Sequence, residues 1–115
     1  MTTTSTKAQQ LCVRYCSHLG LPPFCQSVAE ELAEKMSNVG ALAGRSPLSI
    51  AAACIYMASY LTKRPKTAKE ISLVAGVSDG TIRNAYKFLY ADREKLVKPE
   101  WLQNGKGDMS LLPLN

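Results

Sequence analysis

The sequence predicts an all-α domain of five helices, the last two forming a helix-turn-helix. Three observations predict it. Apolar residues recur at helical spacing nearly throughout the 115 residues, and no stretch reads convincingly as a strand. Serine, threonine, glycine and proline stand where helices start and stop. The stretch TAKEISLVAGVSDGTIRNAYKFLY, residues 67–90, reads as two short helices around a tight turn. By size the chain is one domain. Residues 1–6 read as a flexible lead-in, 7–98 as the folded body and 99–115 as a C-terminal tail.

The first helix is expected over about residues 7–19. Leu11, Cys12, Tyr15, Cys16 and Leu19 form its inner stripe, and Gly20 stops it. Leu21, Pro22 and Pro23 read as a stiff connector. The second helix is expected over about 25–39, with Val28, Leu32, Met36 and Val39 facing in and Glu30, Glu31 and Glu34 facing water. Gly40 and Gly44 bracket the loop that follows.

The third helix starts at Ser46-Pro47, with serine as its cap and proline in the first turn. Its run from Ile50 to Ala58 is apolar on every side, so it is predicted to be the central post of the domain. A basic loop, Lys63-Arg64-Pro65-Lys66, leads to the fourth helix. There Thr67 and Glu70 form the threonine-x-x-glutamate pattern of a capping box. Ser78 caps the fifth helix, and Asp79 sits at its positive end. Trp101 and Leu102 are expected to dock the otherwise irregular tail.

The composition is that of an ordinary soluble globular chain, 46% hydrophobic and 20% charged. No apolar run approaches the ~18 residues of a membrane span, and the opening MTTTSTKAQQ lacks the apolar segment of a signal peptide. The net charge of +5 is localised. Residues 63–98 carry nine basic and four acidic side chains; the rest of the chain has five of each. A clustered positive excess is the footprint expected of a polyanion partner.

Cys12, Cys16 and Cys25 lie near His18, and a zinc site can be drawn from the four. The spacing matches no common finger or ribbon, so buried thiols acting as small apolar side chains are the expectation, with no metal or cofactor. Without a secretion signal, free thiols are expected.

The helix-turn-helix requirements are met one by one. Ser72 supplies the small residue where the helices cross, Gly76 the left-handed turn and Val77 the apolar residue after it. Ile82, Ala85, Tyr86 and Leu89 form the inner stripe of the second helix. That leaves Gly80, Thr81, Arg83, Asn84 and Lys87 facing outward. Arginine suits guanine and asparagine suits adenine; threonine and lysine suit phosphate. Glycine at position 80 lets the helix N-terminus, with its N–H groups, approach a phosphate.

The stretch GRSPLSIAAACIYMASYLTKRPKTAKEISLVAGVSDGTIRNAYKFLY resembles the second cyclin-like repeat of general transcription factor IIB. The resemblance runs from about residue 8 to 96 and includes Leu19-Gly20-Leu21-Pro22. It implies a five-helix cyclin-like fold and a nuclear protein of the RNA polymerase II preinitiation complex. It also implies promoter DNA and TATA-box-binding protein as partners, with the helix-turn-helix in the major groove upstream of the TATA box. Thr81, Arg83 and Lys87 would carry that contact, and Arg45 and Ser46 would lie near DNA or TATA-box-binding protein. The basic loop, Lys63, Arg64 and Lys66, completes the candidate DNA-binding set.

Two departures qualify the resemblance. Animal-type members carry a base-contacting valine where this chain has Gly80, which predicts weak sequence preference. The zinc ribbon and first repeat of the family are not represented, so the chain looks like a C-terminal fragment, and polymerase contact belongs to the missing part. The competing reading is a kinase-regulating cyclin box that binds protein and not DNA. An enzyme is not expected: His18 has no obvious carboxylate beside it, and no phosphate loop is present.

Overall fold

Helix α3, Pro47–Leu61, is the post around which the rest is built. The computed structural model describes residues 6–37 and 46–113. Twelve of the fifteen α3 residues are buried, as expected of a helix apolar all round. Its alanines, at positions 51–53 and 58, let neighbours approach closely, and four do: α1 (Thr6–Leu19), α2 (Pro23–Ser37), α4 (Ala68–Ala75) and α5 (Asp79–Ala91). This is the five-helix arrangement that the resemblance implies. Val39, Gly40, Gly44 and Arg45 lie outside the described residues.

The inner stripes are filled as the spacing predicts. Cys12, Tyr15 and Cys16 of α1 and Val28, Leu32 and Met36 of α2 are buried; Leu11 and Leu19 are half-buried against the core. Full burial of each large aliphatic side chain contributes about 1.5–3 kcal/mol. The four cysteines are free and buried, packing as small apolar side chains. Among the described residues no group of three His, Cys, Asp or Glu side chains is placed to hold a metal ion. His18 is on the surface.

Two boundaries differ from expectation. Helix α2 begins at Pro23, earlier than residue 25. A proline at the first helical position loses no hydrogen bond, and Gln26 N–H already donates to Pro22 O at 3.1 Å. The chain after α5 is also more regular than expected. A one-turn helix α6, Arg93–Leu96, is followed by three short 3-10 turns: Pro99–Trp101, Gln103–Gly105 and Met109–Leu111.

The tail is fastened to the body as Trp101 and Leu102 predict. Trp101 is buried and Leu102 packs on the core. Lys35 and Lys98 lie over the Trp101 ring, at 5.5 and 5.9 Å from its centre. Lys35 Nζ also donates to Leu96 O at 2.8 Å, and Lys98 pairs with Glu31. Glu31 is therefore an anchor for the tail rather than a solvated charge; the period of the α2 pattern cannot reveal that.

Candidate nucleic-acid interface

The helix-turn-helix is α4, the turn Gly76-Val77-Ser78, and α5. Helix α4 is closed at its start by the predicted capping box. Glu70 N–H donates to Thr67 Oγ1 at 3.1 Å, and Thr67 N–H donates to Glu70 Oε1 at 2.9 Å. It ends at Gly76, whose left-handed φ of 76° favours a residue without a Cβ. Ser72 is half-buried, with its hydroxyl donating to Lys69 O at 2.7 Å; Ala68, Ile71 and Ala75 are the buried residues of α4. Val77 packs on the core, and Ser78 caps α5 by accepting Thr81 N–H at 3.1 Å.

Helix α5 divides cleanly. Ile82, Ala85, Tyr86 and Leu89 are fully buried. Gly80, Arg83, Asn84 and Lys87 are exposed, and Thr81 is half-buried. The inner face is held by an aromatic ladder joining α3 to α5. Tyr56 meets Tyr60 and Tyr86 edge-on, at 5.2 and 5.0 Å, and Tyr86 lies 5.9 Å from Tyr90. Burial, with Tyr56 and Tyr90 alongside, pushes the Tyr86 phenol well above its ordinary range, so it stays a neutral hydrogen-bond donor.

The first turn of α5 corrects one expectation. Two of the N–H groups there are already engaged and do not stand open to a phosphate. Gly80 N–H donates to Asp79 Oδ1 at 2.9 Å and Thr81 N–H donates to Ser78 Oγ, so the helix satisfies these two donors itself. The Thr81 hydroxyl shares a 2.8 Å hydrogen bond with the Ser78 hydroxyl. Arg83 Nη1 lies 3.4 Å from Asp79 Oδ2. A Cβ at Gly80 would meet nothing nearer than Ser78 Oγ at 4.0 Å, so this position is open.

The other candidate residues do not gather as simply as their proximity in sequence suggests. Lys63, Arg64 and Lys66 follow the C-terminal end of α3. Lys63 takes a left-handed φ of 69° and points toward the tail, where its charge adds to two Ser110 hydrogen bonds in holding the Asp108 carboxyl below its ordinary range. Arg64 is exposed, and its charge reaches Cys25 near the start of α2. The loop is held by buried Ser59, which accepts Lys66 N–H at 3.2 Å and donates to Tyr56 O at 3.0 Å. Ser59 supports the loop from within a uniformly apolar-looking helix, and only the polar atom in that run hints at it. Ser46 lies at the opposite end of α3, a helix about 22 Å long by its rise per residue. Its hydroxyl accepts Ser49 N–H at 3.2 Å as the helix cap.

No helix among the described residues is long and apolar enough to cross a membrane. The family described as "Transcription factor TFIIB repeat" matches residues 1–92. Similar chains include transcription initiation factor IIB of Schizosaccharomyces pombe, 55% identical over 111 residues, covering 96% of this chain and 33% of the relative. Those of Saccharomyces cerevisiae and Dictyostelium discoideum are 41% identical over 100 residues and 48% over 84. They cover 87% and 73% of this chain and 29% and 26% of the relatives. The chain therefore spans about a third or less of the length of these curated relatives. The match includes the central post, the capped α4 and the turn into α5, and the chain belongs to the transcription factor TFIIB repeat family, with its cyclin-like fold.

Proposed function

We propose that this chain is the DNA-binding cyclin-like repeat of a transcription initiation factor of the factor IIB type. It acts in the nucleus, in assembly of the RNA polymerase II preinitiation complex. Helix α5 enters the major groove upstream of the TATA box, and the repeat binds TATA-box-binding protein on the same promoter. Its role is binding rather than catalysis, in keeping with relatives named as initiation factors.

The observation that carries this reading is the outer face of α5. Arg83, Asn84 and Lys87 are exposed on a helix whose opposite face is fully buried, at the second helix of a helix-turn-helix. Arg83 and Asn84 have the donors and acceptors to read base edges, and Lys87 and Thr81 suit phosphate. Gly80 contributes the absence of a side chain, so the start of α5 can lie close to the duplex. Lys63, Arg64, Lys66, Arg45 and Ser46 are assigned to flanking contacts with DNA or TATA-box-binding protein.

The test is a titration of this chain against a TATA-containing promoter duplex, with and without TATA-box-binding protein, at two salt concentrations. Four or five phosphate contacts give a log–log salt slope of roughly −0.9 per contact. Arg83→Ala is expected to weaken binding about 5- to 100-fold. Binding that ignores salt, substitution and TATA-box-binding protein sinks the proposal and favours a protein-interaction role.

A further inference from the structure

The carboxylate of Asp79 is held at both oxygens. Oδ1 accepts Gly80 N–H at 2.9 Å, and Oδ2 meets Arg83 Nη1 at 3.4 Å, one turn further along α5. Both side chains are 48% exposed, so the ion pair contributes little to stability in water. Its geometric consequence is larger. An exposed arginine samples many rotamers, and each one bound to DNA must be fixed again. A guanidinium carries its five N–H donors in one plane, so engaging one Nη on an anchored carboxylate sets the plane in which the others point. Bidentate reading of guanine O6 and N7 depends on that plane. An acidic side chain beside a DNA-facing arginine also repels phosphate, a cost for affinity that a gain in discrimination offsets.

We infer that Asp79 is a positioning residue for Arg83, trading phosphate attraction for discrimination among base pairs. This rests on the DNA-binding reading above. Asp79→Asn separates the two contacts of the carboxylate. The amide oxygen still accepts Gly80 N–H, so the helix start is kept, while the amide NH2 meets the guanidinium donor against donor.

The experiment measures this chain by fluorescence anisotropy against TATA-containing duplexes that differ by one base pair upstream of the element, and against a scrambled duplex. The proteins are wild type, Asp79→Asn, Arg83→Ala and the double variant, each checked for helicity by circular dichroism. Arg83→Ala identifies the base pair that Arg83 reads. At that base pair Asp79→Asn is expected to lower discrimination about 3- to 10-fold, within the range of one bidentate contact. Its affinity for the scrambled duplex is unchanged or higher, and the double variant discriminates no worse than Arg83→Ala. If Arg83→Ala loses discrimination and Asp79→Asn keeps it, the positioning role is overturned and the DNA reading stands. Equal change on every duplex makes Asp79 a repelling charge only and overturns the role as well. A wild type that binds without discriminating removes the role but leaves binding; one that binds no duplex removes both.

Discussion

The Tyr86 hydroxyl donates to the carbonyl oxygen of Pro113 at 2.7 Å, across 27 residues of chain. The bond ties the end of the tail to the buried face of α5, directly behind the surface proposed to meet DNA. Tyr86 is fully buried, and that burial, with Tyr56 and Tyr90 alongside, keeps its phenol neutral. Removing the hydroxyl leaves the Pro113 carbonyl able to take a water, so the loss is that of one hydrogen bond. Tyr86→Phe is expected to destabilise by about 1 kcal/mol in urea unfolding. Amide exchange at Leu111 and Leu112 should rise, while the salt slope of DNA binding stays the same.

Gly107 and Gly80 make a matched pair of glycines with opposite expectations. A Cβ at Gly107 would lie 2.8 Å from both Leu61 O and Trp101 O. Backbone oxygens cannot step aside as a flexible side chain can. Asp108 N–H also donates to Leu61 O at 3.0 Å, so moving this segment breaks the joint between tail and α3. Gly107→Ala is expected to cost about 1–3 kcal/mol. Gly80 is exposed on a helix, with open space around its Cα. Gly80→Ala should stabilise by up to about 1 kcal/mol through helix propensity alone. Thermal unfolding of the two variants beside wild type checks both signs.

These contrasts show which parts of the fold are legible in the sequence. The capping box at Thr67 and Glu70, the Ser46 and Ser78 caps and the inner stripe of α5 are local patterns, and each is found as its spacing predicts. The tail is different. Its attachment depends on Lys35, Glu31, Leu61 and Tyr86, which are 27 to 67 residues from their partners in the chain, and no periodicity encodes such pairs. The outward face of α5 is legible for the same reason as its inner face. What the spacing does not disclose is that Asp79 and Ser78 already occupy two of the first N–H groups, or that Lys63 turns to the tail. A sum of charges along the sequence carries no direction, and side-chain partners decide it.

The buried thiols predict an alkaline limit to stability. Burial raises Cys12 and Cys54 above the ordinary value of 9.0, while the hydrogen-bonded pair Cys16 and Cys25 shifts in opposite directions, Cys16 up and Cys25 down. Tyr86 rises from 10.0, as Cys12 and Cys54 rise. For Cys12, Cys54 and Tyr86 the folded protein favours the neutral form more than the unfolded chain does. The stability so contributed is fully present below the unfolded values and is lost as pH rises through the folded ones. The thermal midpoint should be flat from about pH 7 to 9 and fall steadily above it. An aromatic disulfide reagent should find no reactive thiol among the four cysteines of the native chain near pH 8, and all four after denaturation. Fast native labelling would contradict their burial.

Lys63 joins the fold and the proposed function in one residue. Helix α3 ends in a Schellman turn: Lys63 N–H donates to Tyr60 O at 3.3 Å and Arg64 N–H to Ser59 O at 2.8 Å. The first of these two residues must be left-handed in such a turn, and here it is a lysine rather than a glycine, with φ 69°. That conformation is strained for a residue with a Cβ, by roughly 1–2 kcal/mol, and glycine recovers part of it after its own entropy is counted. Lys63→Gly is therefore expected to stabilise by about 0.5–1 kcal/mol, whereas Lys63→Ala keeps the strain and should not stabilise. Both variants remove the same charge. If Lys63 contacts a phosphate, each lowers the magnitude of the salt slope by about 0.9; if it serves only the tail, neither does. A gain in stability from glycine with an unchanged slope in both variants would remove Lys63 from the interface and leave the contact to α5.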